Sequence, residues 1–120
     1  MSYRITRKNE ATFYEAPGHY DMRATRLHNP QDINEGKMIM GLSHFLPGGG
    51  CQMNANPMEF IYYIVEGQMD IEVEGEKTTL YAGDSIHCGP FTNKGIQNNG
   101  PVTTQMLVIL LPPAEAPAQK

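Results

Sequence analysis

The segment CQMNANPMEF, residues 51–60, places Asn54 and Asn56 two positions apart at the entry to an apolar run. Side chains two apart on an extended chain point to the same side of it, so the two amides would form a pair. Each amide offers both hydrogen-bond donors and an acceptor. Pointing inward, the pair would bind a ligand. The order Asn-Ala-Asn-Pro also favours a turn, in which an amide would serve only the backbone.

The elements that would position these residues are short strands. From about residue 36 onward, apolar segments alternate with glycine and proline at intervals of about ten residues, a pattern typical of a sandwich or barrel. No segment has the pattern of a long helix. The predicted fold class is therefore all-β, with strands at KMIMGLSHFL, EFIYYIV, QMDIEVE, KTTLY, DSIHC and VTTQMLVILL.

The chain length of 120 residues predicts one domain with one core. We expect residues 1–35 to be an N-terminal arm that packs on the barrel or on a partner subunit, and residues 36–112 to be the barrel. Within the arm, YRITR and ATFYE are predicted as short strands, and APGHY and LHNPQD as loops. Residues 113–120 are rich in proline and alanine, which predicts a flexible tail.

The segment EFIYYIV is apolar on both of its faces: Phe60, Tyr62 and Ile64 alternate with Ile61, Tyr63 and Val65. A strand with one face in water would alternate apolar and polar residues. Either the arm or a second subunit should therefore cover the outward face. We favour a homodimer.

Composition and charge exclude several functional classes. The net charge is −4 and no lysine or arginine cluster is present, so a nucleic-acid partner is not expected. No apolar run approaches the roughly 20 residues that cross a bilayer, so no membrane partner is expected. The N-terminus lacks the apolar stretch of a secretory signal, which predicts a cytoplasmic location with Cys51 and Cys88 as reduced thiols.

The spacing from Gly48 onward resembles the cupin family. The first cupin motif, G-x5-H-x-H-x3-E-x6-G, fits with Gly48 and Gly67 at its two glycines. The second motif, G-x5-P-x-G-x2-H-x3-N, fits with Gly83 first and Asn98 last. The resemblance covers roughly residues 36–112, and it implies a small single-domain cupin with an RmlC-like β-barrel, that is, a jelly roll.

In cupins, the two histidines, the glutamate and the later histidine of these motifs hold a divalent metal. Carried over one position at a time, these ligands correspond here to Asn54, Asn56, Phe60 and Lys94. A β-bulge that turned Glu59 inward would place Gln52 and Asn54 at the histidine positions, which again gives amides. The resemblance therefore implies the fold and not the metal chemistry.

Lys94 carries the charge on which the functional prediction depends. At an effective dielectric near 20, the Lys94 ammonium would repel a positive unit charge about 4 Å away by about 4 kcal/mol, and a divalent cation by about twice that. We therefore predict no metal cofactor, and a small-molecule site in which Lys94 and the two amides hold a small organic acid or carbonyl compound. Enclosure would lower the pKa of Lys94 and suit it to act as an acid, a base or an amine nucleophile. Alternatively, Lys94 lies in the turn-like TNKG and points into solvent.

The predicted site extends beyond the amides. The candidate catalytic residues are Lys94, His87 and Tyr62, and the candidate ligand-binding residues are Asn54, Asn56, Phe60, His44, Met53 and Gln52. His44 and His87 reach the cavity only if their strands face them inward. In that case a divalent transition metal held by His44, His87 and Glu59 becomes the alternative.

Three functions remain open at this point. The first is a metal-free binding protein, which could also act as a lyase or isomerase through side-chain acids and bases. The second is a metal-dependent cupin enzyme, a lyase or dioxygenase with displaced histidine ligands. The third is a non-catalytic regulatory or accessory subunit.

Overall fold

The computed structural model describes residues 3–28 and 37–113, and it confirms the all-β fold class. One short 3-10 helix, Lys8–Glu10, precedes the strands in the described chain. No helix among the described residues is long and apolar enough to cross a membrane. The strands are β1 Thr12–Tyr14, β2 His19–His28, β3 Ile39–Asn54, β4 Glu59–Glu66, β5 Gln68–Val73, β6 Glu76–Tyr81, β7 Ser85–Cys88, β8 Lys94–Gln97 and β9 Thr104–Leu111.

The long strand β3 joins the two walls of the barrel. Residues 39–45 pair with β9, and residues 50–54 pair with β8. The hydrogen-bonded order is β6-β5-β8-β3-β9-β4-β7, with β2 on β3 and β1 on β2. Because β3 changes partners midway, the sheet folds over into the nearly closed barrel of a jelly roll.

The glycine run in β3 allows this change of partner. A Cβ on Gly49 would lie 2.1 Å from the carbonyl oxygen of Asp21, and one on Gly50 would lie 2.2 Å from that of Ile96. Gly48 has a φ of +90°, in the left-handed region that side chains disfavour. Neighbouring strands thus approach β3 too closely for any other residue type at positions 49 and 50.

The core lies between the two walls and follows the two-residue period of the strands. Phe45, Ile64, Met69, Ile71 and Met106 are the largest fully buried apolar side chains, and they come from four strands, β3, β4, β5 and β9. Burying each such side chain contributes about 1.5–3 kcal/mol relative to leaving it exposed.

The structure differs from the sequence prediction in three places. No strand was predicted at residues 19–28, yet these residues form β2, which is hydrogen-bonded along β3 and begins with His19 and Tyr20 of the predicted loop APGHY. The segment TNKG contributes the first residues of β8, where the sequence favoured a turn. The predicted strand YRITR is irregular, whereas ATFYE contains β1. Most of the predicted loop LHNPQD and nearly all of the tail lie outside the described residues.

The outward face of β4 is open in the single chain. Tyr63 is 42% exposed and Val65 is 46% exposed. Ile61 pairs with Ile109 of β9, and Tyr63 pairs with Leu107. Both of these β9 residues are half-buried. The described part of the arm lies on β3, at a distance of two strands, and leaves this apolar face uncovered.

Candidate functional site

A cavity of about 470 Å³ lies between the walls of the barrel. Its size falls within the roughly 300–1,000 Å³ that small-molecule sites usually have. The strands place apolar side chains along one side of it, namely Phe45, Phe60, Tyr62, Met106, Val108 and Leu110. The remainder of the lining is mixed, with Met22, Met53 and Met58 among the polar and charged groups, so the cavity can hold a ligand with both apolar and polar parts.

Lys94 points into this cavity and is only 4% exposed. Its Nζ lies 4.3 Å from the centroid of the Phe60 ring, a cation–π contact. The Phe60 ring in turn contacts that of Tyr62, with centroids 4.7 Å apart. No carboxylate among the described residues pairs with the ammonium. The solvent-exposed alternative for Lys94 is therefore not what the structure shows.

Burial lowers the pKa of Lys94 below the usual lysine value, while the thiols of Cys51 and Cys88 oppose the shift. Burial also raises the pKa of both thiols, against the influence of the lysine. Desolvation disfavours the charged form of each group, so the three shifts have one physical cause. Both cysteines are free thiols, and Cys51 lines the cavity. Cys51 was not among the predicted site residues.

Tyr62 is almost fully buried beside the same groups. Burial raises the pKa of its phenol far above the usual range, and the neighbouring thiols and Tyr14 add to the shift. Its hydroxyl therefore stays protonated at neutral pH.

Asn54 and Asn56 both line the cavity and contact each other. Asn56 Nδ2 donates to Asn54 Oδ1 at 3.0 Å, and Asn54 Nδ2 donates to the carbonyl oxygen of Gln52 at 3.0 Å. Asn56 Oδ1 accepts from the backbone N–H of Met58 at 2.9 Å. The two sequence-based interpretations thus coexist, because the amides form a pair and Asn56 also stabilises a turn.

The remaining predicted residues divide into two groups. Gln52 and Met53 line the cavity. His87 lies outside it, where its Nε2 is 2.6 Å from Glu59 Oε2 and the two side chains are 57% and 39% exposed. His44 faces outward opposite Gln105 on β9.

The three residues of the alternative metal site are not brought together. Three strand spacings and a four-residue offset separate His44 from His87, which amounts to roughly 15 Å or more. Within residues 3–28 and 37–113, no three His, Cys, Asp or Glu side chains are grouped so that they could hold a metal ion.

Two further residues of β2, Arg26 and His19, line the cavity, and neither was among the predicted site residues. The guanidinium carbon of Arg26 lies 4.3 Å from the centroid of the Tyr14 ring. His19 Nδ1 is 2.9 Å from the carbonyl oxygen of Pro17, which can only accept, so this nitrogen carries the proton. Met22, Ala24 and Arg26 share a face at two-residue spacing. That spacing is the signal that could have found Arg26 once β2 was recognised as a strand.

The residues at the family's metal-ligand positions do not fit a divalent cation. An ammonium at one of these positions lies over the phenyl ring at another. The two amides at the other positions are engaged with each other and with the backbone. Neutral amides alone bind transition metals poorly, and the ammonium would repel a cation.

A nearly closed jelly roll with a ligand-sized internal cavity defines a class of small single-domain barrel proteins. A family model described as Cupin domain matches residues 41–110, and the chain belongs to the cupin family. Asn54, Asn56, Phe60 and Lys94 all lie in the matched region.

The chain is also similar to individual known proteins. A curated β-D-galactosidase of Mycobacterium tuberculosis is 27% identical over 110 residues, which cover 92% of this chain and 95% of the relative. A solved RmlC-like cupin from Shewanella frigidimarina has a TM-score of 0.76 at 18% identity, with 95% of each chain covered. A solved structure from Thermotoga maritima, described as a predicted oxalate decarboxylase, has a TM-score of 0.79 at 17% identity, covering 92% of this chain and 100% of that one. At these identities the solved structures show a shared fold.

Proposed function

We propose that this cupin binds a small organic acid or carbonyl compound in its cavity, with no metal at the family's usual site. The single observation that carries the proposal is the buried ammonium of Lys94, which has no acidic partner among the described residues. No Asp or Glu is among the described residues that line the cavity. An unpaired buried charge is costly, and an anionic or carbonyl oxygen would compensate it.

The same residues suit proton transfer, so we extend the proposal to a lyase or isomerase activity. A lysine with a lowered pKa exchanges protons more readily near neutral pH. The neutral phenol of Tyr62, whose ring contacts the Phe60 ring under Lys94, is a further donor in the cavity lining. Of the three predicted catalytic residues, Lys94 and Tyr62 line the cavity, whereas His87 lies outside and takes no part in this scheme.

The other functions receive less support from the arrangement of the site. A metalloenzyme with displaced ligands would need His44 near His87 and Glu59, and the barrel separates them. One relative is named as a β-D-galactosidase. Glycoside hydrolysis ordinarily uses two carboxylates flanking the bond, and the described cavity lining has none. A non-catalytic accessory subunit would show no response to small ligands.

The test is a thermal-unfolding screen of small carboxylic acids and carbonyl compounds. A ligand present at 100 times its Kd stabilises the fold by about 2.7 kcal/mol, which raises the Tm measurably. We expect a wild-type response to one or more acids that Lys94→Met loses. Lys77→Met is the matched control, because Lys77 is exposed on β6 and should leave the response unchanged. No response across a broad panel would contradict the proposal and favour the accessory role.

We also propose a homodimer that buries the outward face of β4 and β9. Its support is the contiguous row of apolar side chains at Ile61, Tyr63, Ile109 and Leu107, with Val65 beside it. Apolar patches of this kind mark interaction surfaces. A cytoplasmic location remains a prediction from the sequence.

A further inference from the structure

Arg26 provides the cavity with a second cation on the wall opposite Lys94. Its guanidinium stacks on Tyr14 of β1, whereas Lys94 stacks on Phe60 of β4. Within this wall, the order β1-β2-β3-β9-β4 places β1 and β4 at opposite ends. The two cation–π pairs therefore lie on different sides of the cavity.

The sheet register gives an approximate separation between the two sides. Arg26 is paired with Gly41, Gly41 with Val108, and Val108 with Tyr62. Three strand spacings of about 4.8 Å put Arg26 and Tyr62 about 14 Å apart along the sheet, and less in a straight line because the sheet curves. The surface between them is formed by Ser43, Met106, Val108 and Leu110, which is mostly apolar.

A purely structural role does not account for Arg26. Its Nε is buried and has no hydrogen-bond partner, and no carboxylate among the described residues pairs with the guanidinium. Stacking on Tyr14 uses the face of the guanidinium and cannot satisfy the in-plane Nε–H. A buried donor without a partner is uncommon in native proteins and calls for a specific explanation. A bidentate anionic group is the acceptor that a guanidinium fits best.

We propose that the ligand carries two anionic groups joined by an apolar body, with one group at Lys94 and the other at Arg26. The apolar body would lie across Met106, Val108 and Leu110, between the two charges. This inference rests on the proposed function, because it needs a ligand in the same cavity. It adds the ligand class, a medium-length dicarboxylate or an acid of similar charge and length.

Two commercial acids with the same carbon chain provide the test. Octanedioate has a carboxylate at each end and octanoate has only one. The ratio of their Kd values for the wild-type protein therefore measures how much the second carboxylate contributes to binding. We expect octanedioate to bind about tenfold more tightly or better, as a charge-assisted hydrogen bond allows. Equal Kd values for the two acids would overturn the inference without using any variant.

Arg26→Gln locates the second group. In this variant, the Kd ratio of the two acids should fall to near one, while the unligated Tm reports whether the protein is folded. A ratio that stays at its wild-type value in folded Arg26→Gln would show that Arg26 is not the second subsite and would overturn the inference. Arg26→Lys is the second variant should the first fail to fold, and it should retain part of the preference.

The outcomes separate this inference from the proposed function. If octanoate binds in a manner that requires Lys94 and octanedioate gains nothing, the proposed function stands and the two-anion inference fails. If neither acid binds the wild-type protein, nor any member of a series of dicarboxylates from succinate to decanedioate, the two-anion inference fails whatever the wider screen shows.

Discussion

The burial of the Lys94 ammonium leads to a prediction about the pH dependence of ligand binding. An acid binds the ammonium form of the lysine, and burial lowers the pKa of that ammonium below its usual 10.5. Affinity for a carboxylate should therefore be full at lower pH and should fall as pH rises through the lowered pKa, before an exposed lysine would lose its proton. Isothermal titration calorimetry across alkaline pH measures this fall.

Lys94→Arg is the control for that experiment, because a guanidinium keeps its charge throughout the range. If this variant binds the acid, its affinity should be flat over the same pH interval. A wild-type affinity that does not change up to pH 10.5 would contradict the assignment of the ammonium as the anion-binding group.

The buried hydrogen bonds of Asn98 lead to a prediction about the stability of the fold. It is fully buried, and its Nδ2 donates to the carbonyl oxygens of Phe45 and Val102 at 3.0 and 2.8 Å, while its Oδ1 accepts from the N–H of Gly100. Asn98→Asp replaces the donating amide with a carboxylate that faces two carbonyls. We expect a loss of at least about 2 kcal/mol in the free energy of unfolding, measured in urea. The neighbouring Gln97→Ala removes an exposed side chain whose amide makes one long contact, 3.3 Å, with the carbonyl oxygen of Gly48, and should change it by less than about 0.5 kcal/mol. Equal effects of the two changes would refute this account of Asn98.

Motif spacing was sufficient to bring Asn54, Phe60 and Lys94 to one site, because the motif fixes their positions in the barrel. It could not show that Cys51 also faces inward. Cys51 and Asn54 are an odd number of residues apart, yet both line the cavity, since the pairing of β3 with β8 shifts register between them. Such an irregularity leaves no mark in a two-residue alternation. The directions of His44 and His87 were unpredictable for a related reason, as apolar residues occur on both faces of their sheet.

The close approach of β8 to β3 leads to a prediction about the glycines of β3. Gly50→Ala would place a Cβ 2.2 Å from the carbonyl oxygen of Ile96 on β8, and this backbone can move only if the two strands separate. We expect this variant to lower the free energy of unfolding by several kcal/mol, and the Tm with it, or to prevent folding.

Gly89→Ala is the matched change, because nothing lies within 4 Å of a Cβ at that position and its φ is not positive. It should leave the Tm within a few degrees of the wild-type value. If both alanine variants unfold at the same temperature as the wild-type protein, the close approach of β8 to β3 is not a constraint on the fold.

Apolar residues at two-residue spacing predicted most of the strands, whereas β2 and β8 were missed. β8 was missed because T-N-K-G has the composition of a turn. Its strand conformation comes from its neighbours: it is hydrogen-bonded to β3 on one side and to β5 on the other. Tertiary pairing overrides local preference in this case. This pairing also turns Lys94 inward, so the missed strand and the uncertain direction of the lysine have the same cause.

The apolar outward face of β4 and β9 predicts that the protein is a homodimer. Light scattering on a sizing column should give a mass of twice the 13.4 kDa of one chain. Tyr63→Glu should shift the protein to the monomer mass, because it would bury an unpaired carboxylate in the proposed interface. Val102→Glu is the matched control: Val102 is 54% exposed in the turn before β9, away from this face, and its replacement should leave the mass unchanged.

The proposed dimer would also affect the site, because side chains of β4 and β9 alternate between the cavity and the outward face. Phe60 and Tyr62 line the cavity, while Ile61 and Tyr63, which alternate with them, face the proposed partner. A second subunit would hold these strands in place and thereby keep the Phe60 ring under the Lys94 ammonium. We therefore expect monomeric Tyr63→Glu to bind a carboxylate more weakly than the wild-type protein, although no cavity residue has changed. A wild-type protein that is already monomeric at micromolar concentration would refute the dimer and remove this link.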